Sequence, residues 1–117
     1  MGRCAADDAT ELQNFVAKII TYETDDYQAD WADNALMLGE YLWPETYGGD
    51  YMDELWYGSD LWGYSTPGYP DNWTIDNLYE RESSWGSGDL TPLMNSNNYH
   101  WINHLGHANE STVMHLY

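Results

Sequence analysis

Two short apolar runs in this sequence each end in a glycine that is followed by an ionisable side chain. Residues 35–39 (ALMLG) precede Glu40, and residues 99–106 (YHWINHLG) precede His107. Apolar runs of this length are typical of buried strands. In open α/β sheets, reactive groups collect just beyond the carboxyl ends of the strands. Glu40 and His107 are therefore the candidate functional residues, and an imidazole can move protons at neutral pH.

The segment from Thr10 to Glu23 has the periodicity of an amphipathic helix. Its apolar residues recur at three- and four-residue spacing on one face: Leu12, Phe15, Val16, Ile19 and Ile20. Asp8 precedes the segment as an N-cap residue, and Glu11 stands three positions later, as in a capping box. The pattern therefore predicts a first helix ahead of the first apolar strand.

The middle of the chain predicts further elements in alternation. Residues 41–49 and 59–73 are rich in glycine, proline and aromatic residues and are predicted to be loops. Residues 50–57 favour a short helix, residues 74–79 a strand, and Asp89 is expected to cap another short helix. Helices that alternate with short strands predict a parallel sheet with helices on its faces, which is an α/β fold.

The charge of the chain excludes several classes of partner. With 20 acidic residues against 3 basic ones, the formal net charge is -17 at pH 7. Nucleic acids and anionic membrane surfaces are bound through clusters of Lys and Arg, and this sequence contains none. No apolar run approaches the ~20 residues that a membrane span needs. The carboxylates would instead favour a cationic substrate or a bound calcium ion.

The cysteine and histidine residues do not form a recognisable metal-binding pattern. Cys4 is the only cysteine, so no disulfide can form within the chain. The histidines lack both the cysteine partners and the HExxH spacing of zinc sites, so no residue is assigned to a metal. His104 is expected to pack or hydrogen-bond beside His107.

Several motifs taken together resemble the gingipain-type cysteine peptidases. They are Gly2-Arg3, the helix ending Lys18-Ile19-Ile20-x-Tyr22-Glu23, Gly39-Glu40, Gly48-Gly49-Asp50, Leu78-Tyr79 and the stretch Asn103 to Asn109. The resemblance spans nearly the whole chain, and its most specific parts are the helix ending and the Gly-His pair. It implies a caspase-like three-layer sandwich with a mostly parallel sheet, and hydrolysis of peptide bonds by a Cys/His pair.

The resemblance also implies which residues act in catalysis. It assigns the proton-transfer role to His107, whereas Cys4 precedes the first helix, where the family does not place its nucleophile. In the family that cysteine follows on the next strand after the histidine. Residues 1–117 are therefore expected to be a partial, incomplete catalytic domain, inactive without the remainder. Glu40 is the first choice for the carboxylate that orients the imidazole, with Glu45 and Asp50 as alternatives.

Further implications concern substrate, ions and location. Asp53, Glu54 and Asp60 lie in the region that corresponds to the acidic primary pocket of gingipains, so a polypeptide substrate with a basic residue is expected. The resemblance requires no cofactor, suggests calcium as a structural ion, and implies secretion or display at the cell surface. The 7 Trp and 11 Tyr residues leave open a non-catalytic module that binds peptides or carbohydrates, or a degenerate homologue.

Overall fold

The computed structural model describes residues 6–24, 32–96 and 99–116. Its elements in chain order are α1 (Ala9–Thr24), β1 (Asn34–Gly39), β2 (Tyr41–Trp43), β3 (Thr46–Tyr47), α2 (Gly48–Tyr57), β4 (Thr74–Tyr79), α3 (Ser87–Ser96) and β5 (Trp101–Leu105), with a 3₁₀ turn at Leu61–Gly63. This alternation of helices and strands confirms the predicted α/β class. Within the described ranges, no helix is long and apolar enough to cross a membrane.

The sheet that organises the fold has three parallel strands in the order β4-β1-β5. The central strand β1 is shielded on both faces, and its residues 35–38 are completely buried. Such burial explains why this strand is a continuous apolar run rather than an alternating one. The sequence prediction of a parallel sheet is confirmed.

Two apolar clusters cover opposite faces of the sheet, because successive side chains of a strand point to opposite sides. Leu36 and Leu38 pack with Trp85 and with Leu90 of α3. On the other face Met37 packs with Met52 of α2 and with Tyr79. The described core is therefore a sheet between two helical layers, consistent with a caspase-like sandwich.

Helix α1 confirms the predicted helix and its cap. The Asp8 carboxylate accepts the backbone N–H groups of Thr10 at 2.7 Å and Glu11 at 2.9 Å. The Glu11 side chain accepts the N–H of Asp7 at 2.8 Å, one residue before the position expected for a capping box. None of the α1 residues is buried, and the predicted apolar face is 42% to 56% exposed.

Two of the predicted elements required correction. The segment 41–49 is not a plain loop, because β2 and β3 pair as an antiparallel hairpin with Tyr41 opposite Tyr47. Asp89 is not the cap of α3 but lies within its first turn, where its carboxylate accepts the N–H of Gly86 at 2.9 Å. An acidic residue in this position accepts a hydrogen bond from an unpaired N–H group at the helix start, as an N-cap side chain does.

Two glycines allow the end of β1 to approach the start of α2 closely. A Cβ atom at Gly39 would lie 2.2 Å from the backbone nitrogen of Gly49, and a Cβ atom at Gly49 would lie 2.7 Å from the ring of Tyr79. These distances are too short for any side chain. Glycine is therefore required at both Gly39 and Gly49 for α2 to pack against the carboxyl end of β1.

We expect Gly39→Ala to lower the free energy of unfolding by about 2 kcal/mol or more, because the added methyl group would force the two backbones apart. Urea denaturation followed by circular dichroism measures this change. Gly88→Ala is the matched control, because Gly88 lies in α3 with open space around it. The control should leave stability unchanged or raise it by up to about 1 kcal/mol. Equal stability of Gly39→Ala and wild type would contradict the close-packing argument.

Candidate active site

The parallel register brings the carboxyl ends of all three strands to one edge of the sheet, here called the carboxyl edge. Gly39 of β1 lies opposite Tyr79 of β4 and Leu105 of β5. Two backbone hydrogen bonds extend this alignment beyond the strands. The N–H of Glu40 donates to the Leu105 carbonyl at 3.0 Å, and the N–H of Glu80 donates to the Gly39 carbonyl at 2.9 Å.

Glu40 is the buried charged residue at the centre of the carboxyl edge, with 3% of its surface exposed. Its Oε1 lies 2.8 Å from Nε2 of His104, and its Oε2 accepts the backbone N–H of His107 at 2.8 Å. The two carboxylate oxygens therefore join the end of β1 to β5 and to the chain that leaves it.

The glycine before His107 is required by this carboxylate. A Cβ atom at Gly106 would lie 2.3 Å from Cδ of Glu40 and 2.6 Å from Nε2 of His104. Any side chain at this position would displace the Glu40 carboxylate from its two hydrogen-bond partners. The Gly-His pair in the sequence is thus explained by the space that Glu40 needs.

The environment of Glu40 favours its charged form. Burial raises the pKa of Glu40, but the hydrogen bonds from the His107 amide and the His104 ring, with the charges of His115 and His104, outweigh that effect. The pKa of Glu40 is therefore lowered overall, and the residue is an anion at neutral pH.

His107 is exposed, and its ring is held by a backbone carbonyl. Nε2 of His107 lies 3.0 Å from the carbonyl oxygen of Tyr41, the first residue of β2. Because a carbonyl oxygen can only accept, Nε2 carries the proton in the neutral ring, and Nδ1 keeps its lone pair. Glu40 thus contacts the backbone of His107, whereas Tyr41 contacts its imidazole.

Two residues that the sequence reasoning missed complete the cluster. The Glu80 carboxylate accepts the backbone N–H of Tyr41 through Oε2. Nε2 of His115 lies 3.3 Å from Oε1 of Glu80 and 3.9 Å from Oε1 of Glu40. Glu80 could have been found from the sequence, because it directly follows the predicted strand 74–79. No sequence signal pointed to His115.

Asp53, one of the residues predicted for the substrate pocket, is engaged with a basic side chain. Asp53 is paired with Arg81, with Oδ2 2.6 Å from Nη2, and Asp50 contacts the same guanidinium at 2.7 Å. Burial lowers the pKa of Arg81, but the hydrogen bonds to Asp50 and Asp53 raise it overall. Asp53 is therefore charge-compensated within the fold.

The other predicted acidic residues lie toward the far end of α2 and beyond it. Helix α2 begins at the carboxyl edge, where the N–H of Gly48 donates to the Glu40 carbonyl at 2.7 Å. Glu54 stands six residues further along and lines a cavity of about 270 Å³ with Trp62 and Tyr64. Asp60 precedes the 3₁₀ turn that follows α2.

The alternatives to Glu40 lie elsewhere. Glu45 occupies the turn between β2 and β3, with a φ angle of 61°. Asp50 is engaged with Arg81, as described above. Neither has a hydrogen bond to His107 in the described ranges. Cys4 lies outside the described residues. In the part of the chain that the structure describes, no three His, Cys, Asp or Glu residues are arranged to hold a metal ion.

The architecture and this edge define an α/β protein with a histidine and two carboxylates at the ends of parallel strands. Comparison with known families gives a specific match. The model of peptidase family C25 matches residues 1–116, so the chain belongs to this family, the gingipain family. The resemblance drawn from the sequence motifs is thereby confirmed. No curated protein and no solved structure matched the chain.

The lowered pKa of Glu40 predicts a pH-dependent contribution to stability. This contribution is present above the ordinary pKa of 4.5 and is lost as the pH falls through the lower value of the folded protein. Glu40→Gln should therefore be less stable than wild type by about 1–3 kcal/mol at pH 7. The difference should shrink below about pH 4, which urea denaturation at several pH values measures.

The exposed Glu82 provides the control, since Glu82→Gln should change stability little across the same pH range. If the stability difference between wild type and Glu40→Gln stayed constant from pH 7 to pH 3, the charge of Glu40 would not be the source of the stabilisation.

Proposed function

We propose that this chain provides the histidine side of a Cys/His endopeptidase site, with His107 as the proton-transfer residue. The observation that carries the proposal is the contact between its ring and a backbone carbonyl. The Tyr41 carbonyl accepts from Nε2, so Nδ1 is left as a base on an exposed residue at the carboxyl edge. Membership of a cysteine peptidase family supports this role.

The chemistry requires such a base. A free thiol has a pKa near ~8.5, so few molecules are thiolate at neutral pH unless a neighbouring imidazole accepts the proton. The thiolate would then attack the peptide carbonyl carbon, and the imidazolium would return the proton to the departing amine. Water would hydrolyse the resulting thiol ester and regenerate the thiol. The proposed nucleophile is a cysteine other than Cys4, contributed by the remainder of the catalytic domain.

Glu40 supports this reaction through the backbone in our proposal. Its carboxylate accepts the His107 N–H and fixes the segment on which the imidazole stands. Glu40 is therefore a positioning residue.

The substrate is proposed to be a polypeptide with a basic residue. The net charge of -17 favours the approach of cationic segments. Of the proposed substrate-binding residues, Asp53 is compensated by Arg81, whereas Glu54 lines an aromatic cavity and Asp60 is exposed. We further propose that calcium is a structural ion and that the protein acts outside the cell or at its surface, both by analogy with the family.

We expect His107→Ala to lower turnover of a peptide substrate by about a hundredfold or more, in the protein encoded by the complete reading frame. Cys4→Ser should leave turnover largely intact. His100→Ala is a control of the same residue type, because His100 lies at the opposite end of β5. A fluorogenic peptide assay measures all three variants. Turnover that survived His107→Ala would contradict the proposal.

The position of the nucleophile is tested separately. The 117 residues alone should be inactive, and thiol-dependent hydrolysis by them would show that the nucleophile lies among them. Reading the gene past the codon for Tyr117 gives a second test. An apolar strand that ends in cysteine is expected there, whereas a stop codon or a strand without cysteine would remove the catalytic assignment.

A second candidate function is binding without catalysis, and an aromatic cavity favours it. The cavity has a volume of about 430 Å³ and is lined in part by Leu55, Tyr69, Trp73 and Trp101. Trp101 begins β5 and is 53% exposed, so this cavity lies toward the amino end of that strand, away from His107. Aromatic rings of this kind stack on saccharides or on peptide side chains.

If the cavity binds such ligands, calorimetric titration with an oligosaccharide or an extended peptide should show saturable binding. Trp101→Ala should weaken the affinity by about tenfold or more. Trp43→Ala is the control, since Trp43 is 55% exposed on β2 and does not line the cavity. Absence of binding by both ligand types would remove this second candidate.

A further inference from the structure

Glu80 contacts the same residue that holds the ring of His107. Its Oε2 accepts the N–H of Tyr41, and the carbonyl oxygen of Tyr41 lies 3.0 Å from Nε2 of His107. The two contacts use the two backbone polar groups of one residue. They connect the end of β4 to the imidazole beyond β5 without any direct contact between Glu80 and His107.

Tyr41 is the first residue of a small hairpin. The hairpin formed by β2 and β3 contains only two paired positions, and its register shifts between Tyr41 and Trp43. A hairpin of this size is marginal by itself. The Tyr41 side chain is 43% exposed and meets the Tyr47 ring edge-on, with 5.6 Å between centroids. Glu80 thus adds an anchor from another element at the start of the hairpin.

Glu80 is suited to be such an anchor because it is itself restrained. Its own N–H is bonded to the Gly39 carbonyl, and its side chain is 19% exposed. Its second carboxylate oxygen faces His115, whose ring packs edge-on against Trp85 with centroids 4.6 Å apart. One oxygen of the Glu80 carboxylate is therefore hydrogen-bonded, and the other lies beside an imidazole.

We propose that Glu80 is a positioning residue that fixes the Tyr41 backbone so that its carbonyl selects the Nε2–H tautomer of His107. This inference rests on the proposed function in one respect: the tautomer affects catalysis only if Nδ1 of His107 acts as the base. Its structural content is independent of catalysis. Among the described residues, Glu80 has no hydrogen bond or ion pair with the imidazole of His107, so in this proposal it acts through Tyr41.

The tautomer of His107 can be measured directly on the protein encoded by the complete reading frame, labelled with ¹⁵N-histidine. Long-range ¹H–¹⁵N correlation spectra at pH 8 distinguish a protonated ring nitrogen from a bare one. In wild type we expect Nε2 to be protonated. In Glu80→Ala the ratio of Nε2–H to Nδ1–H should fall about fivefold, which is the typical net effect of losing one hydrogen bond.

Three controls separate positioning from a general structural role. Glu80→Gln keeps an oxygen that can accept the Tyr41 N–H, so it should restore the wild-type ratio. Glu82→Ala removes a nearby exposed carboxylate and should change nothing. His104 donates to Glu40 rather than to Tyr41, so its ring signals should stay unchanged in every variant that folds. An unchanged His107 ratio in folded Glu80→Ala would overturn the proposal.

If Glu80→Ala fails to fold, Glu80→Asp provides the test. Aspartate retains the charge but is shorter by one methylene, so it should lose the bond to Tyr41 and lower the tautomer ratio. A shift of the Tyr41 amide proton would show that the bond is lost. If the tautomer ratio of His107 then stayed unchanged, the proposal would be overturned. The proposed peptidase function is tested by a different measurement, since it fails if turnover survives His107→Ala. The failure of either proposal can therefore be told from the failure of the other.

Discussion

The buried carboxylate of Glu40 is the interaction on which the carboxyl edge depends. Removing a charge from water costs several kcal/mol unless partners replace the lost hydration. Glu40 obtains these partners from β5 and the chain leaving it, namely the His104 ring and the His107 amide, and both lie at 2.8 Å. The need to satisfy one buried anion therefore determines where the segment carrying His107 leaves the sheet. Gly106 is part of the same solution, because only glycine leaves room for the carboxylate.

The packing around β1 and the polar contacts at its end depend on each other. Close approach of Gly39 and Gly49 seats the start of α2 at the carboxyl edge, where Gly48 donates to the Glu40 carbonyl. The backbone and the side chain of Glu40 are thus held by different elements. On the other side of the edge, Glu80 binds the N–H of Tyr41 at the start of the β2–β3 hairpin. The carbonyl of the same residue contacts the ring of His107. A single imidazole is therefore placed by Tyr41 of β2 and by the residues that directly follow β1 and β4.

Much of the fold could be predicted from local patterns. The fully buried run at residues 35–38 confirmed the first strand, the period of three and four residues confirmed α1, and the strand at 74–79 was correct at both ends. The errors fell where several local solutions compete. The hairpin after Glu40 has strands too short for a visible pattern, and Asp89 can serve a helix start either as its cap or from its first turn. The exposed face of α1 shows that periodicity predicts a helix but not its partner.

The sequence by itself determined the α/β class, the family motifs, and the placement of Glu40 and His107 at the ends of strands, because apolar periodicity and glycine positions are local properties. Only the tertiary structure decided which groups meet there. Asp53 pairs with Arg81 across 28 positions of sequence, and Glu40 binds the amide of His107 across 67. The Tyr41 carbonyl, which contacts the imidazole, has no side-chain signature at all. Such contacts depend on sheet register and on the direction in which each chain leaves the sheet, and no local pattern encodes either one.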